Sequence, residues 1–63
     1  MSDIQFIITR EGRQIFSTYE PYDAAYEYCR ITANGLYPED LTADLEHGTT
    51  FACGAYVLAR IER

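Results

Sequence analysis

Three side chains in this 63-residue sequence have the chemistry of a nucleophile or its base: Cys29, Cys53 and His47. Nucleophilic catalysis needs a thiol activated by an oriented base, and no flanking signature marks either cysteine as one. Cys29 falls on the apolar side of a helical pattern, where a thiol behaves as a small hydrophobe. One histidine and two cysteines, without a close C-x-x-C or H-x-x-x-H pair, do not make a zinc site. Glu39, Asp40, Asp44 and Glu46 lack the glycine and terminal glutamate of a calcium loop. Gly12, Gly35, Gly48 and Gly54 stand singly, so no glycine-rich phosphate cradle is present. Carboxylate pairs for glycoside chemistry can be drawn from ten acids in many ways, and a chain this short has little room for a cleft. The expectation is a protein that is not an enzyme, with no catalytic residues, no metal and no cofactor.

What remains is charge and tyrosine. From Ser17 to Cys29 four tyrosines alternate with three acids and no base. The chain has no lysine, and its arginines are Arg10, Arg13, Arg30, Arg60 and Arg63. From Ile31 to Ala59 no arginine occurs, while Glu39, Asp40, Asp44 and Glu46 do. A formal charge of −5 repels the phosphate backbone and anionic membranes, so neither is an expected ligand. A basic protein surface is the complement, because opposed fields speed encounter and reject wrong partners. The same charge also serves plain solubility. The expected contact residues are Glu20, Asp23 and Glu27 on one helix, Tyr28 beside them, and Glu39, Asp40, Asp44 and Glu46 as a second patch.

The elements that position these residues follow from the pattern. Ile4–Arg10 is rich in β-branched residues and reads as a strand, with Ile4, Phe6 and Ile8 on one face. Glu11-Gly12 signals a turn into a second strand over Arg13–Thr18, giving an antiparallel hairpin. Glu20-Pro21 opens a helix, with proline in the first turn and acids suited to the helix dipole. Tyr22, Ala25, Tyr26, Cys29 and Ala33 recur at helical spacing and form its expected buried side, leaving Asp23, Glu27 and Arg30 solvated. Tyr28, with Tyr19 and Tyr37, is expected at the surface, and Tyr22, Tyr26 and Tyr56 in the core. Asn34-Gly35 stops the helix, glycine supplying the left-handed residue and Leu36 folding back onto the last turn.

The segment 38–46 fits two templates. Pro38-Glu39-Asp40 resembles a helix start and Leu41 with Leu45 has i, i+4 spacing, whereas Leu41, Ala43 and Leu45 also alternate with polar residues. The alternation is preferred, because a strand ending at His47-Gly48 would pair with the C-terminal segment; a short helix is the alternative. Thr50–Ile61 reads as one strand with a bulge at Gly54. The expected fold is α+β: an antiparallel sheet with one main helix on a face, in the order β-β-α-β-β, as one domain spanning 1–63.

Hydrophobic residues at 48% and aromatics at 14% support a folded core, near the lower size limit for one. The N-terminal residues lack the pattern of a signal peptide, and no apolar run reaches the ~20 residues of a membrane helix. The expected location is therefore cytoplasmic, with Cys29 and Cys53 as reduced thiols, and the expected state a monomer.

In size and character, as a short, lysine-free, acidic α+β domain with Tyr19–Tyr28 and Glu39–Glu46 as its charged surfaces, the chain resembles the small phage-encoded anti-CRISPR proteins that inhibit type I-C systems. That group shares no binding motif, so no residue role transfers with the resemblance. It implies an inhibitor in the host cytosol that binds a basic DNA-recognition surface of a type I CRISPR surveillance complex, such as its large subunit, and blocks target DNA. The physical counterpart is a mimic whose carboxylates occupy a groove built for phosphates. A protein-protein adaptor that binds through a tyrosine-rich face is the alternative.

Overall fold

Glu11 and Gly12 both adopt positive φ, +53° and +81°, as the two central residues of a type I′ hairpin turn require. β1 (Ile4–Arg10) therefore folds straight back onto β2 (Arg13–Thr18) in the computed structural model, which describes residues 3–62. The register runs from Arg10↔Arg13 to Phe6↔Thr18 and shifts between Ile8 and Thr9, leaving Ile15 as the extra residue of a bulge.

The C-terminal segment forms a second hairpin instead of the single bulged strand expected from its sequence. β3 (Phe51–Cys53) and β4 (Tyr56–Glu62) flank Gly54-Ala55, and Gly54 takes φ +61°, the conformation a type II′ turn demands of its first central residue. The Glu11 N–H donates to the Ala55 carbonyl at 2.9 Å, tying the two turns together. β4 then pairs antiparallel with β1 along its whole length, from Ile4↔Glu62 to Arg10↔Tyr56. The sheet order is β2-β1-β4-β3.

Two helices separate the hairpins. α1 (Pro21–Thr32) begins with proline at its first turn, and the N–H of Glu20 is held by the Thr18 hydroxyl at 3.1 Å. It ends on Ala33, which takes the left-handed conformation at φ +50°, followed by Gly35 at φ +79°. Two expectations for this terminus are corrected. The cap is alanine, not glycine, and Leu36 stays half exposed, with its N–H held by the Asn34 side chain at 2.9 Å.

α2 (Pro38–Glu46) occupies the ambiguous segment, so the helix spacing prevails over the alternation and the order is β-β-α-α-β-β. The physical reason is visible in the burial. Leu41 and Leu45 are buried while Ala43 is exposed, whereas a strand would have put all three on one face. Pro38 presets the first turn, Glu39 and Asp40 favour its dipole, and the run has few residues suited to a strand. α2 stops at Gly48, φ +98°.

Both helices lie on one face of the sheet. Phe6, Ile8 and Leu58 from the strands meet Ala24, Ala25 and Tyr28 of α1 and Leu41 and Leu45 of α2 in one core. Phe16, Phe51 and Tyr56 pack at its edge. The fold class is α+β, as the sequence led one to expect, with a second helix replacing one strand.

Candidate functional site: an acidic helical layer

α1 contributes its side chains differently from the sequence expectation. Ala24, Ala25 and Tyr28 are buried, Tyr28 to 2% exposure, while Tyr22 and Tyr26 remain 49% and 53% exposed. The helix is thus rotated about its axis relative to the stripe of Tyr22, Ala25, Tyr26, Cys29 and Ala33. The cause is packing: α1 must meet the sheet on one side and α2 on another. Two adjacent alanines allow close approach there, and one large ring fills the space between, its centroid 6.4 Å from that of Phe51. Tyr28, expected as a partner contact, is a core residue. Tyr22 and Tyr26, expected in the core, stack on the outer surface with ring centroids 6.5 Å apart. Tyr19 and Tyr37 are exposed, in line with the sequence reading, and Tyr56 is half buried.

The acids fall where expected, with one exception. Glu20 and Asp23 at the start of α1 are exposed, as are Glu39, Asp40, Asp44 and Glu46 on α2, and none has an ion-pair partner among the described residues. Glu27 is half buried and accepts from the Arg30 guanidinium one turn along, so its charge is locally compensated. An exposed i, i+3 pair of this kind adds little stability, but it removes the one arginine of the layer from competition with the free carboxylates.

The electrostatic consequence can be counted. Residues 19–48, the helices and their connections, carry seven acids and Arg30, a formal −6. The remaining residues, strands and termini, carry three acids and four arginines, a formal +1. The entire net charge of the protein therefore sits on the helical layer. The β1–β2 turn lies at the opposite end of the hairpin from Thr18, where the chain enters α1, so Arg10 and Arg13 beside that turn lie away from Glu20 and Asp23. A cleft of about 420 Å³ at that tip is lined by Arg10, Glu11, Arg13 and Ile15, with Arg10 also 5.8 Å above the ring of Tyr56.

The two helices that carry the acidic patches, α1 and α2, pack against each other. Burial, and then the carboxylates of Glu39 and Asp40 on the first turn of α2, push the Cys29 thiol above its ordinary value. Glu20, Asp23 and Glu27 climb α1 in steps of ~5 Å at 1.5 Å per residue.

The thiols are unbridged. A raised pKa keeps Cys29 protonated and weakly nucleophilic near neutrality. His47 is the exposed C-cap of α2. No group of three or more potential metal ligands occurs among the described residues, and no helix among them is long and apolar enough to cross a membrane.

No protein family, curated protein or solved structure matches this chain. The separation of charge between helices and strands was open to a segment-by-segment count of the sequence. The exposure of Tyr22 and Tyr26 was not, because it depends on where α2 sits.

Proposed function

We propose that this protein is a non-enzymatic, acidic DNA mimic that binds the basic DNA-recognition surface of another protein and excludes duplex DNA from it. The observation that supports this reading is the concentration of charge: a formal −6 on the helical layer against +1 on the rest of the chain. Six carboxylates of that layer stand exposed without an ion-pair partner among the described residues, ready to meet lysines and arginines that otherwise hold phosphates. The resemblance to small phage anti-CRISPR proteins points to a type I surveillance complex, in the host cytoplasm, as the target.

The test is competition for target duplex on a purified type I-C surveillance complex at low and high salt. Loss of DNA binding that salt relieves, and that Asp23→Lys with Asp44→Lys weakens, is the expected result. Full DNA binding in the presence of saturating protein at low salt overturns the reading for that complex.

A second reading has its own observation. The stacked Tyr22–Tyr26 pair, with Tyr19 and Tyr37 also exposed, has the composition of a protein-protein hot spot on an adaptor. It predicts binding that Tyr26→Ala abolishes, with shallow salt dependence and no competition with DNA.

A further inference from the structure

The sheet face turned away from the helices reverses the usual polarity of an antiparallel sheet, whose solvent side is ordinarily polar. Ile8 and Leu58 oppose each other and are fully buried, so their pleat faces the helices. The alternate positions of β1 and β4 face outward: Gln5, Ile7, Thr9, Val57, Ala59 and Ile61. Ser17 opposite Ile7 and Ala52 opposite Val57 continue that face onto the outer strands. None of these eight residues is charged, in a protein where charged residues make up 24% of the chain. The strand charges Arg10, Arg13, Arg60 and Glu62 lie instead at positions in register with the helix-covered pleat. Ile7, Val57, Ala59 and Ile61, each half buried, make an apolar centre on paired central strands, and no helix among the described residues packs over it.

We infer that this face is the interface of a symmetric homodimer, in which two sheets pack face to face and the acidic helical layers point outward. The occupant follows from charge. Two copies of a −5 protein repel each other through their helical layers, and this neutral face is where they can meet with least repulsion. A neutral apolar face is also complementary to itself, as a two-fold interface must be. Sheets packed in this way sit ~10 Å apart with their outward side chains interleaved. Four strands of up to seven residues, at ~3.3 Å per residue and ~4.8 Å per strand, present roughly 400 Å². A pair would bury ~800 Å², below the ~1,200 Å² at which stable specific interfaces begin, so the dimer is a weak and transient one.

Sedimentation equilibrium of the purified chain from about 10 μM to about 1 mM tests this, a range that reaches weak association. The expected mass rises from 7.2 kDa towards twice that value, more readily in high salt, where repulsion between the helical layers is screened. Gln5→Glu with Thr9→Glu puts two charges on the face without removing any apolar group. It should weaken association by at least about tenfold, ~1.4 kcal/mol, while the circular dichroism spectrum and Tm stay unchanged. A mass of 7.2 kDa at the highest concentration overturns the proposal, as does a dimer that survives in the double variant. Neither outcome depends on the DNA-mimic reading, because no target is present in the experiment.

Discussion

The two faces of this small protein divide its chemistry. The helical layer carries a formal −6, its exposed tyrosines and six exposed carboxylates that form no ion pair among the described residues. The outer sheet face carries no charge and an isoleucine-valine centre. The acids are exposed and the apolar centre is half buried, and the two differ in how they would act on a partner: one through a long-range field, the other through area and shape. A net charge of −5 read as a single number hides this division, since the strands and termini alone come to +1. The lesson is that charge on a small domain is informative when it is assigned to elements.

The largest expected effect lies beneath the helical layer. Tyr28→Ala removes the largest buried ring, a loss of ~3–5 kcal/mol that matches the whole stability of a domain this size. Urea melts should find the variant largely unfolded, whereas Tyr26→Ala, on the exposed side of the same helix, should shift stability by less than about 0.5 kcal/mol. Equal effects would break the assignment of faces. Next in size is reversal of the acids. Asp23→Lys with Asp44→Lys changes the helical layer from −6 to −2 and should weaken binding to a basic target by tenfold or more, about 1.4 kcal/mol, while leaving Tm nearly unchanged. The neutral face supplies the control, because Gln5→Glu with Thr9→Glu should affect dimerisation and not that binding.

A smaller effect belongs to the strands. Glu11 sits at φ +53°, where a side chain other than glycine or asparagine is strained. Glu11→Asn creates the Asn-Gly pair that a type I′ turn favours and should stabilise the fold by ~0.5–1 kcal/mol in thermal melts. The smallest effect is on pH. Burial, then the neighbouring Cys53 and Cys29 thiols, raises the Tyr28 phenol, and Cys29 is itself raised above its ordinary 9.0. The folded state holds both protons more tightly than the unfolded chain, so their stabilising contribution is complete below pH 9 and is lost as pH rises beyond it. Tm measured from neutral pH upward should fall above pH 9, and Cys29→Ala should make that fall shallower.

Much of the fold was legible because local rules agreed. Glu11-Gly12 marked a hairpin, Pro21 a helix start, and alternate Ile4, Phe6 and Ile8 an inward strand face, and each holds in the structure. Three features were not legible, and each has a physical cause. On α1 two stripes share Ala25; a count of apolar residues selects the one with Tyr22 and Tyr26, although Ala24 and Tyr28 make the closer-packed side. Over 38–46 Leu41 and Leu45 satisfy both periods, and the decision rests on whether Ala43 is covered, which is a tertiary matter. At Gly54-Ala55 a turn and a bulge present the same glycine, and alanine does not signal the turn. Of the expected contact residues, Glu20, Asp23, Glu39, Asp40, Asp44 and Glu46 lie exposed on the helical layer, Glu27 is paired to Arg30, and Tyr28 is buried.

The pairing of β1 with β4 has a consequence for how the molecule comes into being. The central strand pair joins the first described element to the last, and the core residue Ile8 faces Leu58 across it. During synthesis the first hairpin and α1 emerge with their apolar faces uncovered, and the sheet gains its middle only when β4 has left the ribosome. At ~5–20 residues per second that interval lasts a few seconds. The described sheet is therefore completed only after β4 has been translated, and the segment made in between carries a formal −6.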